Sequence, residues 1–259
     1  MKHLILRLEA PLMSCGGETI DNYGVIRSFP AASMLTGLLA NALGWRRIEG
    51  ARHQRLQDRL VFAARIDREP AGQARLQDYQ TAQLTNAKHW TTRGEPESRK
   101  GGGGASFTHL RFRDYFADMR LTVSLRVEPP ETRPTLDELA QALERPARPL
   151  FIGRKPCLPS APILHGFSDG DTALTALLAV PVDDRKEPET VRLLWPENDT
   201  PESMTAVQRS RTHMLTDQRN WRSSGLHGGG RLVCEGTVAR DRLPAHDAAM
   251  PQTEKDEQQ

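Results

Sequence analysis

The chain has 259 residues, a formal net charge of +2, 37% hydrophobic and 26% charged residues, 18 prolines and a mean hydropathy of -0.57, enough to bury a sizeable core as a main domain plus a smaller one while leaving long polar excursions to meet a partner. No apolar run approaches ~18 residues, and residues 1–9 are too short and polar for a secretory h-region, so the expectation is a cytoplasmic protein without membrane insertion. Cys15, Cys157 and Cys234 show neither CxxC nor Cys/His spacing, which argues against a zinc site and for reduced thiols.

His3–Ala10 sets Leu4, Leu6 and Leu8 against Ile5 and Arg7 and predicts a first strand. Pro11–Ser28, with Gly16-Gly17, Asp21-Asn22 and Gly24, reads as a long loop. After Pro30, Leu35, Leu38, Leu39, Ala42 and Leu43 recur at helical spacing up to Gly44. The first turn of that helix, led in by Arg27 and Ser28 and followed by Ser33, would point free N–H groups outward as a phosphate seat. Arg59–Asp67 predicts a second strand, and Met119–Val127 has the clearest period of two in the chain. Thr135 and Glu138 form a capping box ahead of a helix whose stripe is Leu136, Leu139, Ala140 and Leu143, and Pro149–Ile152 is expected as a short fourth strand. The order is β-α-β-β-α-β, an α+β, ferredoxin-like (RRM-like) palm over residues 1–165, with an open sheet face and an arm inserted before its third strand. Residues 166–240 predict a small β-rich appendage: a short helix at Asp171–Val180, a strand at Val191–Trp195, and a strand pair joined through Gly225–Gly230. Arg209, Arg211, Arg219, Arg222 and Arg231 make it basic and able to dock on a partner or continue a nucleic-acid path. The tail over 241–259 is acidic, without core residues, and expected to be flexible.

The arm, residues 75–118, organises the functional reading. Between Lys88 and Arg113 it carries Lys88, Arg93, Arg99, Lys100, Arg111 and Arg113 against Glu95 and Glu97, a local net of +4, interleaved with His89, Trp90, Phe107, His109, Phe112 and Tyr115. Cations neutralise phosphates and rings stack on bases, so the composition suits single-stranded nucleic acid, although charge runs are commonly solvated faces. Its flanks, Leu76–Ala82 and His109–Phe116, can pair as a hairpin. Gly101–Gly104 follow Lys100 instead of preceding a lysine and open no helix, so they are not a Walker segment. RNP-like aromatic strands are missing as well, which sets a simple RRM aside.

Five motifs in order, Leu4–Gly17 (LILRLEAPLMSCGG), Gly24–Trp45 (GVIRSFPAASMLTGLLANALGW), Leu76–Thr81 (LQDYQT), Phe112–Asp118 (FRDYFAD) and Pro149–Ile163 (PLFIGRKPCLPSAPI), resemble the CasD family, the Cas-five subunit of type I-E CRISPR Cascade within the RAMP superfamily. The resemblance covers roughly residues 1–165. It implies a palm with a β-hairpin thumb that caps the 5′ handle of CRISPR RNA without catalysis or cofactor. The implied partners are that RNA, the Cascade backbone subunits and the large subunit, with target DNA met only through the complex, for antiviral defence. By position it implies RNA contacts at Arg27, Ser28, Ser33, Arg113, Gly153, Arg154 and Lys155, to which the basic arm adds Lys88, His89, Arg99, Lys100 and Arg111. Ala31 and Ala32 depart from the family's threonine and basic residue. Two alternatives stay open. One is a metal-independent endoribonuclease, as in type I-C relatives, using Lys88, His89 and Tyr23 for charge stabilisation and proton transfer. The other is a purely structural scaffold.

Overall fold

The computed structural model describes residues 1–20, 23–69, 75–82, 88–90, 96–98, 109–182, 189–223 and 227–245. In chain order the elements are β1 (Lys2–Glu9), β2 (Leu12–Met13), β3 (Gly16–Ile20), β4 (Tyr23–Ile26), α1 (Ala32–Ala42), α2 (Gly50–Arg59), β5 (Leu60–Arg68), β6 (Arg75–Ala82), β7 (Lys88–Trp90), β8 (Pro96–Ser98), β9 (His109–Ala117) and β10 (Arg120–Val127). They continue with α3 (Leu136–Glu144), β11 (Leu164–Asp169), α4 (Ala173–Leu178), β12 (Thr190–Pro196), β13 (Val207–Arg219) and β14 (His227–Ala239). The fold is mixed α+β and dominated by sheet, with the main sheet in the order β11-β1-β10-β5-β12-β14-β13.

The leucine faces of β1 and β10 pack as their period predicts, but the opposite face, expected to be wet, is buried too, with Ile5, Thr122 and Ser124 at most 1% exposed. Leu4, Leu6 and Leu8 lie opposite Leu125, Val123 and Leu121 and pack with Leu35, Leu39, Leu139 and Leu143 from α1 and α3. Thr135 and Glu138 close the predicted capping box at the start of α3. The expected fourth strand is corrected: Pro149–Ile152 is irregular, and the strand beside β1 is Leu164–Asp169, whose His-Gly-Phe-Ser-Asp core has no strand-like pattern. Pro11–Ser28 is corrected as well, since it holds β2, β3 and β4. Residues 166–240 do not build a separate sheet: β12 pairs with β5, and β14 and β13 follow it.

The open sheet face is the third correction. Its second face is covered by α4 and a cluster that includes Leu174, Leu177, Leu193 and Trp195. The fully buried Arg65 donates to Asp67 and to the carbonyls of Leu177, Val180 and Pro181, tying β5 to the end of α4. Arg126 on β10 makes a bidentate pair with Asp199, two bonds of 2.9 Å, and Asp199 also caps α4 through the Ala173 N–H.

His3 is buried beside this pair. Its Nδ1 lies 2.9 Å from the Met1 carbonyl and its Nε2 3.4 Å from Arg126 Nη1. Because a guanidinium only donates, Nε2 must accept, which fixes the neutral Nδ1–H tautomer. Burial, first, and Arg126 hold its pKa below the ordinary value, outweighing the Met1 bond, which raises it. The unfolded chain then binds the extra proton, so this contribution is present above pH ~6.5 and is lost as pH falls below it. Denaturant midpoints compared at pH 7.5 and 5.5 should fall less in His3→Gln than in the wild type; equal falls would remove His3 from the account.

Candidate nucleic-acid interface

Beside the palm a second sheet runs β2-β9-β4-β3, with β6 on the other flank of β9. The flanks of the arm do pair: β6 and β9 are antiparallel in a register that runs from Arg75 opposite Phe116 to Ala82 opposite His109. β4 joins β9 in parallel, Tyr23 beside Phe112 and Gly24 beside Arg113. Strand alternation divides this sheet into two chemistries. One face carries an aromatic ladder, in which Tyr23 stacks on Phe112 at 5.1 Å and Tyr79 meets the same ring at 5.2 Å. The opposite face of β9 carries Arg111, Arg113 and Tyr115.

Tyr115 is core, only 3% exposed, and not a stacking ring on the surface. The Arg154 guanidinium lies 4.9 Å above it and donates to the carbonyls of Asp114 and Gly24, each at 2.9 Å. Arg154 is thus a staple across β9 and β4. Carbonyls satisfy its donors without cancelling its charge, so it still adds positive potential to the face that holds Arg113. The Arg113 side chain, half-buried, makes no hydrogen bond or ion pair with the described residues. Gly153 has φ +87°, and a Cβ there would sit 1.7 Å from the Ser14 carbonyl oxygen. Its close approach is to the chain's own backbone.

A cleft of about 360 Å³ lies where α1, the β2–β3 turn, the 151–154 turn and the end of β13 meet. Ser33, Gly153 and Arg154 line it together, with Gly16, Gly17, Asn41, Arg219 and Trp221. Arg27 reaches its rim, since a Cβ on Gly17 would meet the Arg27 side chain at 3.5 Å. Ser28 is elsewhere, in a smaller pocket with Arg75, Glu69 and Arg192. The predicted phosphate seat at the start of α1 is corrected too: the buried Asp217 carboxylate from β13 accepts the Ala32 N–H at 3.0 Å, so an internal anion already sits there. Lys155 is exposed on the turn. Lys88 and His89 belong to β7, paired with β8, and their side chains lie outside the described residues, as do Arg99, Lys100 and the Gly101–Gly104 tip. Arg111 is exposed, with Nη1 on the Leu110 carbonyl.

Sequence reasoning marked Arg219 only as one of several basic residues and passed over Trp221. The guanidinium of Arg219 lies 5.0 Å from the indole of Trp221, whose other neighbour is the His53 ring at 4.8 Å. Chemically the cleft offers what a single-stranded polyanion needs: cations at several angles, a flat ring, and glycines that leave the backbone open.

Residues 3–234 match the family described as CRISPR-associated protein (Cas_Cas5), and the chain belongs to that family. It is 29% identical over 176 residues to the CRISPR system Cascade subunit CasD of Escherichia coli (strain K12), covering 68% of this chain and 75% of the relative. Among solved structures, a chain of a CRISPR RNA-guided surveillance complex superposes with a TM-score of 0.63 at 24% identity, over 92% of this chain and 90% of that one. A structure titled as the crystal structure of a Cas protein gives 0.60 at 23% identity, over 94% and 98%. No helix of the described residues is long and apolar enough to cross a membrane.

Proposed function

We propose that this chain is a non-catalytic, cofactor-free subunit of a CRISPR Cascade complex, holding the 5′ handle of the CRISPR RNA and helping the complex assemble in the cytoplasm for interference with foreign DNA. The observation that carries the reading is the cleft at the root of the arm, where Ser33, the Gly153–Arg154 turn and Arg219 converge next to the strand that bears Arg113. In this reading β11, β1, β10 and β5, in that order with α1 and α3 as crossovers, are a ferredoxin-like palm, β6 and β9 are the base of the thumb, and the C-terminal strands supply the cleft's far wall. Backbone subunits, the large subunit and target DNA are met through the RNA-bound assembly. The nuclease alternative is disfavoured by geometry: the Tyr23 ring is committed to Phe112 on the face of the thumb sheet opposite Arg113.

Purifying the chain from cells with its partner subunits and sequencing the bound RNA tests the proposal. One uniform 5′ end is expected. Cleavage of repeat RNA by the lone chain in EDTA would instead identify a nuclease, and absence of RNA a scaffold. Arg113→Ala should weaken RNA retention about tenfold or more, the size of a lost charge-assisted bond, without lowering the melting temperature. Unchanged retention at raised salt would remove Arg113 from the interface.

A further inference from the structure

Arg219 is held as few surface arginines are. Its backbone N–H donates to Gln57 Oε1 at 3.1 Å, and its carbonyl accepts from Gln57 Nε2 at 2.9 Å, so one side chain from α2 clamps the backbone on both sides of its Cα. The neighbouring Trp221 is locked to the same helix through Nε1 to Gln57 Oε1 at 2.9 Å, its N–H to Gln54 Oε1 at 3.0 Å and its ring on His53. A guanidinium stacked on that fixed ring has lost its rotamer freedom before any ligand arrives. Yet among the described residues no carboxylate or carbonyl meets the Arg219 side chain. Burial, first, and the charge of Arg47 push its pKa below the ordinary arginine value. A preorganised, half-buried cation facing a cleft beside a second cation is stabilised by an anion entering from outside. There is room for one. Gly37, in the middle of α1, lines the cleft, and a Cβ there would meet only Trp221, at 3.8 Å.

Resting on the handle-binding reading, we infer that Arg219, stacked on Trp221 and facing Gly37 across the cleft, is a phosphate subsite that seats one phosphodiester of the single-stranded RNA. It makes the C-terminal strands part of the RNA grip. The phosphate enters between α1 and the β13 end, its charge on the guanidinium, with the exposed part of the Trp221 ring available to the adjoining sugar or base.

The test uses the full chain and the RNA recovered with it, with affinity measured over a series of salt concentrations. Each phosphate contact on a single strand contributes about 0.7 to the slope of log K against log salt. Arg219→Gln should reduce the slope by about 0.7, and Arg219→Lys, which keeps the charge, should restore most of it. Gly37→Leu, which fills the cleft from a helical position where leucine is favoured over glycine, should weaken binding while leaving folding intact. An unchanged slope in Arg219→Gln overturns the inference, including the case in which inorganic phosphate binds the wild type at this arginine but RNA does not use it. Loss of partner-subunit assembly with an unchanged RNA slope also overturns it, pointing to a protein carboxylate. If the wild-type chain shows no salt-dependent RNA binding, the handle-binding reading itself has failed; a wild-type slope with an indifferent Arg219 removes only the subsite.

Discussion

Gly153→Ala should cost the protein about 2 to 5 kcal/mol and collapse the cleft with it. Two independent penalties fall on the one methyl group. A positive φ of +87° costs an L side chain about 1–2 kcal/mol. A Cβ placed 1.7 Å from the Ser14 carbonyl oxygen and 2.7 Å from its carbon must also displace backbone, an overpacking cost of about 1–3 kcal/mol. The obstacle cannot rotate away as a side-chain tip could. Ser14 lies between β2 and β3, so the displacement is transmitted to the turn that lines the cleft and to Arg154, the staple that joins β9 to β4. Guanidinium-chloride denaturation should show a lower midpoint with an unchanged slope. Gly37→Ala, across the same cleft, is the internal contrast: its φ is helical and its Cβ has room, so it should be neutral or stabilise by up to about 1 kcal/mol. Equal losses in both variants would mean that the cleft tolerates no substitution and that the special conformation of Gly153 is irrelevant.

The two glycines also show what could be read in the chain before its fold was known. Gly153 stood out as a special position within the Gly-Arg-Lys turn, but its reason, contact with Ser14, spans 139 positions and leaves no local trace. Local and periodic signals carried through: the leucine faces of β1 and β10, the stripe of α1, the capping box of α3, the pairing of β6 with β9. Signals of composition failed where pairing overrides propensity. Glycine and asparagine made Pro11–Ser28 read as a loop, although β3 and β4 pair there and β4 joins the thumb. The fourth palm strand was misplaced at Pro149–Ile152 because Leu164–Asp169 has neither alternation nor β-branched residues and is a strand only because β1 offers it an edge. α2 escaped notice because its buried positions are Gly50, His53, Leu56 and Gln57, a stripe with one aliphatic side chain of any size. The candidate site was legible on the α1 and Gly-Arg sides. Its far wall, Arg219 and Trp221, is brought there by β13, and only the excess of arginine in residues 209–231 hinted at it.

The second large effect is expected from Asp217→Ala, about 3 to 5 kcal/mol, and its cause lies in what α1 lacks. The residue before the helix is Ala31, whose own side chain offers no cap, and the first turn holds no acidic residue. A helix that begins inside a protein needs an acceptor for its first N–H groups, and here the acceptor comes from β13: Asp217 Oδ2 receives the Ala32 N–H at 3.0 Å. The same carboxylate, 0% exposed, receives Nε of Arg231 at 3.2 Å and its Nη2 at 3.0 Å, and Arg231 in turn lies 4.3 Å from the Phe62 ring. Removing the acid therefore uncaps the helix and leaves a guanidinium 16% exposed without its anion, the situation in which breaking a buried pair is most costly. Asp217→Asn keeps an oxygen for Ala32 but not the charge, and should lose less. The decisive measurement is a double-mutant cycle. Arg231→Met alone strands the carboxylate, whereas Asp217→Asn with Arg231→Met leaves a neutral cap and an apolar neighbour, so the double variant should be more stable than the sum of the single losses by at least about 1 kcal/mol. Additive losses would show that the two residues do not form one unit. Because Asp217 is two positions from Arg219 on the same strand, the double variant also separates folding from function: with the helix capped and β13 in register, RNA affinity should recover along with stability.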